Sequence, residues 1–427
     1  MSVVLRGVRP YGEDPVDLVL DEGRIADRCA PGRGVGDDIV DCDGLIALPG
    51  FVDLHTHLRE PGREDAETIE SGSRAAALGG FTCVHAMANT SPVADTAGVV
   101  EQVWRLGQRC GLVDVRPVGA VTVGLAGTHL SEIGAMAHSA AAVRVFSDDG
   151  KCVHDPLLMR RALEYVKTFD GVIAQHAQDP RLTEDAQMNE GALSSRLGLA
   201  GWPAVAEEAI IARDVLLAEH VGSRLHVCHV STAGSVEVLR WARRRGVAVT
   251  AEVTPHHLLL TEELVAGYDP VYKVNPPLRA REDVEALRAA VADGTIDVIA
   301  TDHAPHPRED KDCEWAAAAM GMLGLQTAFG VVVETLVAPG ALTLREVAER
   351  MSLAPARIGR VAGQGEDLVV GASGNVTMVD TTSRTEVRAS ALASKSSNSP
   401  YVGMTLPGRV WHVAHAGRLT VRAGELT

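Results

Sequence analysis

The chain has 427 residues and a mass of 45.1 kDa, long for one ordinary domain but normal for a barrel carrying an appendage. Its net charge of -16 argues against a nucleic-acid partner, which wants a basic footprint, and against an anionic membrane surface. With 46% apolar but only 4% aromatic residues, a large core has to be filled by Val, Ile, Leu and Ala. In chain order, residues 1–49 are strand-like and turn-rich (VDLVLDEGRIADR), and so are residues 361–427 (GNVTMVD, GRVWHVAHAGRLTVRAGEL). The two ends are expected to fold together as a small β-domain.

Between them, over 50–360, short β-rich runs alternate with helical stretches. The runs are 51–55, 82–87, 113–121, 142–147, 171–176, 224–230, 248–255 and 297–302. Asp155-Pro156 reads as an N-cap followed by proline at the first helical position, with apolar Leu157, Leu158, Leu163 and Val166 behind it. Val284, Leu287 and Val291 follow helical spacing in another stretch. Eight strand–helix units predict an α/β fold, a (β/α)8 TIM barrel, whose chemistry belongs at the C-terminal ends of the strands. Residues 307–319, PREDKDCEWAAAA, read as a mobile loop after the eighth strand or the start of a helix.

The strand ends carry the chemistry. The first run ends in VDLHTH, and His55 and His57, two apart, face the same way on an extended chain. The fourth ends in Asp148 and Asp149, the fifth in His176, the sixth near His229, and the eighth in Asp302. Any one of these reads equally well as a buried polar residue or a helix cap; together they read as a metal site. Four histidines and two carboxylates suit a borderline metal such as zinc and exceed what one tetrahedral ion needs. Two ions roughly 3.5–4 Å apart, bridged by a carboxylate and a hydroxide, would use them better. Asp302 is placed to move a proton to a leaving nitrogen. Arg59, Asn89, Asn275 and His306 could meet an anionic substrate, with His306 as a second cation.

Other polar residues read as structural. His256 and His257 have supporting roles, His226 packs against helices, Cys228 is core, Trp202 is loop packing, and Arg243–Arg245 form a solvated helix end. Cysteines at 29, 42, 83, 110, 152, 228 and 313 are odd in number and form no CxxC pair, as in a reduced intracellular protein. The N-terminal residues lack the apolar core of a signal peptide and no window of eighteen uncharged apolar residues occurs, so a cytoplasmic location is expected.

HTHLREPG at 55–62, MANT at 87–90, FSDDG at 146–150, EVTPHH at 252–257, VNPPLR at 274–279, ATDHAPH at 300–306 and SKSSNSP at 394–400 together resemble type I dihydroorotases of the amidohydrolase superfamily. The resemblance runs over nearly the whole chain. It implies one zinc ion held by His55, His57 and Asp302, a second by His176 and His229, and Asp149 bridging both. The family's spacing selects Asp149 over Asp148, and aspartate rather than a carboxylated lysine such as Lys151 takes the bridging place. It also implies Asp302 as general acid/base. Arg59, Asn89 and His306 would meet the substrate carboxylate, and Asn275, His57 and the backbone at Met320–Gly321 the rest of the substrate. AAAAMGMLGLQ at 316–326 lacks the proline that relatives often carry before this glycine. The implied reaction is the reversible closure of N-carbamoyl-L-aspartate to L-dihydroorotate in pyrimidine synthesis. Alternatives are a hydantoinase or allantoinase, or an inert subunit that scaffolds aspartate carbamoyltransferase; association with that transferase and a homo-oligomer both stay open.

Overall fold

The computed structural model describes residues 2–427. Strands β1 (Val3–Pro10), β2 (Val16–Asp21), β3 (Arg24–Cys29), β4 (Asp38–Asp41) and β5 (Ile46–Pro49) come first, and β16 (Val376–Glu386), β17 (Thr405–His415), β18 (Arg418–Arg422) and β19 (Glu425–Leu426) come last. They share one nine-stranded sheet. The seam between the chain ends is β5 against β16, antiparallel, with Leu48 opposite Thr377. Buried Leu5, Leu18, Leu20, Ile25 and Met378 form the core on this sheet.

The barrel strands are β6 (Phe51–Thr56), β7 (Phe81–Ala86), β8 (Asp114–Pro117), β9 (Val145–Phe146) and β10 (Val172–Gln175), then β13 (Leu225–Val227), β14 (Val249–Val253) and β15 (Val298–Ile299). A small parallel pair, β11 (Met188–Asn189) with β12 (Gly201–Trp202), lies between β10 and β13 in the chain. Parallel ladders run β6-β7-β8 and β9-β10-β13-β14-β15. Single parallel bridges, Gly119 to Phe146 and Thr56 to His303, join the two ladders into a ring. Strand alternation sorts the side chains. Val145, Val172, Ala174, Cys228, Val298 and Ala300 cluster together inside the barrel. Ile173, Val227 and Ala251, one residue out of phase, join the larger cluster under the surrounding helices.

Local signals set the helices. Asp155 accepts from Leu158 N at 2.8 Å, and the helix Pro156–Val166 buries Met159, Ala162, Leu163 and Val166 while leaving Leu157 exposed. The helix Arg281–Ala292 buries Val284, Leu287, Ala290 and Val291.

Several strands are shorter than the sequence predicts, among them 224–230, which pairs only over Leu225–Val227. Runs 113–121, 142–147 and 297–302 keep ladder pairing only over Asp114–Pro117, Val145–Phe146 and Val298–Ile299. The C-terminal ends of 113–121 and 297–302 leave the ladder to build the barrel mouth, whereas 142–147 loses mainly its N-terminal residues. The loop after β15 is folded as well: a short helix, Arg308–Lys311, starts it. Lys273 Nζ donates to Trp315 O (2.6 Å) and Ala316 O (3.1 Å), and Lys311 Nζ to Lys273 O (3.1 Å) and Ala319 O (2.8 Å). Two buried lysine side chains thus donate to four backbone carbonyls and tie the loop down. No helix among the described residues is long and apolar enough to cross a membrane.

Candidate metal centre

The four histidines converge on two carboxylates, three of them, His55, His57 and His176, with the far ring nitrogen tied down. His55 Nδ1 donates to Glu252 Oε1 at 2.7 Å, and its Nε2 lies 3.3 Å from Asp149 Oδ1 and 3.5 Å from Asp302 Oδ1. His57 Nδ1 donates to Asn89 Oδ1 at 2.9 Å, leaving Nε2 3.1 Å from Asp302 Oδ1 and 3.3 Å from Asp149 Oδ2. His176 Nε2 donates to Gln178 Oε1 at 2.8 Å, leaving Nδ1 3.3 Å from Asp149 Oδ1. His229 Nε2 is 3.2 Å from that same oxygen and 2.9 Å from His176 Nδ1.

Two groups of three donors result, His55–His57–Asp149 and Asp149–His176–His229, each with ligand atoms within 4.8 Å of one another. Asp149 belongs to both. Imidazole lone pairs facing carboxylate oxygens repel one another unless a proton or cation lies between. His55 Nε2, buried without a hydrogen-bond partner, is one such lone pair. Nitrogen and carboxylate donors with anchored second nitrogens fit a divalent ion of borderline softness. A third grouping, His55–Cys228–Glu252, does not fit. It would need the His55 nitrogen already bonded to Glu252, and burial pushes the Cys228 thiol far above its ordinary range.

Two of the donors owe their direction to backbone strain. Alternation that turns Cys228 into the barrel would turn His229 out, but His229 has φ +32°, which brings its ring back to the mouth. Asp302 has φ +45°. Such left-handed backbone is costly for residues other than glycine and collects at functional sites. Asp148 takes no part in the cluster: its carboxylate accepts from Val121 N (2.8 Å), Thr122 N (2.9 Å) and the Thr122 hydroxyl. The Lys151 side chain is exposed.

Burial alone would raise the carboxyls and lower the rings. The charges outweigh it: Asp149, Asp302 and Glu252 are held below the ordinary carboxylate range, chiefly by His55. His55 is raised well above its ordinary value by Asp149, Asp302 and Glu252, and His176 is raised by Asp149. Without a cation the centre therefore holds added protons, on His55 above all, at neutral pH. A metal must displace them, so affinity should climb as pH rises through the raised ring values and fall in acid. Titration calorimetry at pH 7 in buffers of different ionisation enthalpy should find about one proton or more released per chain. Zero release would contradict this charge balance.

The residues expected around a substrate are gathered in one place. Arg59, Asn89, Asn275, His306, Met320 and Gly321 line a cavity of about 320 Å³ together with His57, Asp149, His176 and Asp302. A larger groove of about 700 Å³ runs between residues 60–74 and Leu426–Thr427, away from these donors. Arg59 Nε donates to Pro305 O at 3.0 Å, and burial brings its pKa to about 10, so it stays cationic at pH 7. His306 is not the second cation expected from its position. Burial first, then the charges of Arg59 and Lys311, push its pKa to about 3, and as a neutral ring it donates from Nε2 to Met320 O at 3.0 Å. A Cβ on Gly321 would lie 2.8 Å from both Ala304 Cβ and His306 Nε2, so only glycine fits there.

Several supporting residues escaped the sequence reading. Glu252 holds His55 and also accepts from His226 Nε2 at 3.0 Å, so His226 points into the barrel rather than toward the helices. A lone carboxylate within an otherwise uncharged strand was the available signal. Asn398, in SKSSNSP, donates from Nδ2 to Ala304 O (3.0 Å) and Gly321 O (3.2 Å) and accepts from His306 N (3.1 Å). Buried Glu67 accepts from His303 Nε2 (3.3 Å), Lys395 N (2.9 Å) and the Ser394 hydroxyl. The motif near the C-terminus thus braces the cavity wall. The other supporting histidines lie where expected: Thr254 and Pro277 hold His257, and His256 is buried beside it. Trp202 packs under the Arg279 guanidinium, 4.4 Å from its ring centroid. Arg243 and Arg245 are paired with Asp297 and Glu219 rather than merely solvated.

A family model described as "Dihydro-orotase-like" matches residues 44–235. The chain is 64% identical over 427 residues to a dihydroorotase of Streptomyces coelicolor, covering all of both chains. It is 67% identical over 425 residues to one of Leifsonia xyli, covering 100% of this chain and 97% of that one. With one of Mycobacterium tuberculosis the identity is 57% over 429 residues, covering all of both chains. Among solved structures, an L-hydantoinase (dihydropyrimidinase) from Arthrobacter aurescens superposes with a TM-score of 0.87 at 25% identity, covering 100% of this chain and 97% of that one. A dihydropyrimidinase from Brevibacillus agri, at 20% identity and TM-score 0.87 over 100% of this chain and 96% of that one, shares the fold.

Proposed function

The chain belongs to the dihydroorotase family, and on that premise we propose that it interconverts N-carbamoyl-L-aspartate and L-dihydroorotate, a step of pyrimidine synthesis. The observation that carries this reading is the single cavity in which the metal-donor cluster meets one buried cation, Arg59. A small cyclic amide bearing a carboxylate matches both halves of that cavity.

We assign His55, His57 and Asp302 to one ion, His176 and His229 to a second, and Asp149 to both, with zinc the metal that suits these donors. When bound, the ions would polarise the scissile carbonyl and activate water. The protein's own residues do the rest. Arg59 and Asn89 take the substrate carboxylate, with neutral His306 beside them. Asn275, His57 and the backbone at Met320–Gly321 hold the ring. Asp302, ionised and at the cavity wall, accepts a proton during ring opening and delivers it to the departing ring nitrogen. Ring closure runs the same transfers backwards.

Turnover of dihydroorotate by the metal-loaded protein tests the assignment. Turnover of hydantoin or allantoin with none of dihydroorotate would overturn it. Arg59→Ala should raise KM for dihydroorotate about 10–100-fold, the worth of a hydrogen bond between charged groups, with metal content unchanged. An unchanged KM would take Arg59 out of the substrate site.

A further inference from the structure

A chain of hydrogen bonds with only one possible direction runs from the protein wall to the metal centre. It begins at Asp179 O, which has no proton and can only accept. The Thr183 hydroxyl, 2.8 Å away, must therefore spend its single proton on that carbonyl. Its oxygen is left as an acceptor, and Gln178 Nε2 donates to it at 2.7 Å. This turns the other end of the Gln178 amide, Oε1, toward the site. Oε1 can only accept, and it takes two bonds: from His176 Nε2 at 2.8 Å and from Asn275 Nδ2 at 2.9 Å.

Two consequences follow at the cavity. With its proton on Nε2, His176 keeps the Nδ1 lone pair for the centre, on the side of Asp149 and His229. With its NH2 committed to Gln178, Asn275 presents Oδ1, which is buried and has no hydrogen-bond partner on the cavity wall. An unpartnered buried carbonyl calls for an N–H donor. A cyclic ureide offers one on its ring.

We propose that Thr183 and Gln178 are positioning residues that fix, through this polarity, both the metal-binding tautomer of His176 and the acceptor orientation of Asn275, so that Asn275 Oδ1 receives a ring N–H of the substrate. The substrate half rests on the dihydroorotate reading; the metal half does not. Thr183 does not line the cavity and is not among the donor groups, so any effect of changing it has to travel through Gln178. A reversed Gln178 amide would set its NH2 against the His176 Nε2 proton and the Asn275 NH2, and one of the two would have to turn over.

The test uses the intact metal-loaded protein and four variants. Thr183→Val keeps the shape and removes the hydroxyl; Thr183→Ser keeps the hydroxyl. Gln178→Leu removes the acceptor; Gln178→Glu keeps an acceptor facing His176 and Asn275. Metal retention is measured by competition with a chelator, without substrate, and KM and kcat are measured with dihydroorotate. Thr183→Val and Gln178→Leu should each lose about 10-fold or more in metal affinity, in the range seen when a group supporting a metal ligand is removed. Both should raise KM several-fold. Thr183→Ser should match the parent, and Gln178→Glu should hold metal at least as well. Parental metal retention in Thr183→Val, or weaker retention in Gln178→Glu than in Gln178→Leu, would overturn the proposal. If Thr183→Val does not fold, the Gln178 pair decides alone. A parent that binds metal but does not turn over dihydroorotate would sink the substrate reading and leave the metal half to stand or fall on the chelator data.

Discussion

Asp302→Asn should leave a folded barrel whose kcat for dihydroorotate is lower by about 10²–10⁴-fold, the contribution of a positioned general acid/base. The side chain keeps its size, and its remaining carbonyl oxygen keeps a neutral donor near His57 Nε2, 3.1 Å from Oδ1 in the parent. What it loses is the ability to take up and return a proton. In the metal-free centre the charge of His55 foremost already holds the parent carboxyl below the ordinary carboxylate range. Metal content by elemental analysis separates the two roles of the residue. Low kcat with metal retained marks the proton-transfer role, and low kcat that recovers on adding metal would mark Asp302 as a ligand only.

Asp149→Ala should be as damaging for a different reason. Its carboxylate is the one member of both donor groups, so removing it leaves His55, His57 and Asp302 on one side and only the pair His176 and His229 on the other. A histidine pair alone offers too few donors to hold a hydrolytic ion, for which three protein ligands are usual. Metal content should fall by about one ion per chain or more, the His176–His229 site emptying first, and kcat by at least about 10³-fold. Asp148→Ala is the matched control one residue away. It removes a cap from Val121 and Thr122 rather than a donor, and should cost stability while metal stays bound. Metal retained in Asp149→Ala and lost in Asp148→Ala would reverse the assignment of the two neighbours.

Much of this was legible along the chain, because strand alternation and barrel topology are local rules. Eight β-rich runs, each followed by helical spacing, imply parallel pairing, and parallel pairing puts the strand ends at one mouth. His55, His57, Asp149, His176 and Asp302 all sit at strand ends, so the rule that locates the mouth also gathers them. The two turn-rich termini read correctly as one β-domain for a similar reason: edge-exposed strands need a partner, and each end supplies it to the other through β5 and β16.

The sequence could not decide matters set by contacts between distant segments. His229 lies out of phase with its own strand, and only the left-handed backbone at that residue, held by the packed mouth, turns its ring inward. Glu252 became the anchor of His55 because closure of the ring leaves only β15 between β14 and β6, although the two residues are 197 apart in the chain. The charge of His306 follows from burial beside Arg59 and Lys311, a neighbourhood that spacing does not reveal. The direction of the Gln178 amide depends on a carbonyl, a hydroxyl and two loops brought within hydrogen-bonding reach. Alternation and pairing are written residue by residue and so determine the scaffold and most donors. Ring tautomers, amide orientations and charge states are decided by the groups that folding places within about 3 Å, where hydrogen bonds form, and only the tertiary structure supplies those.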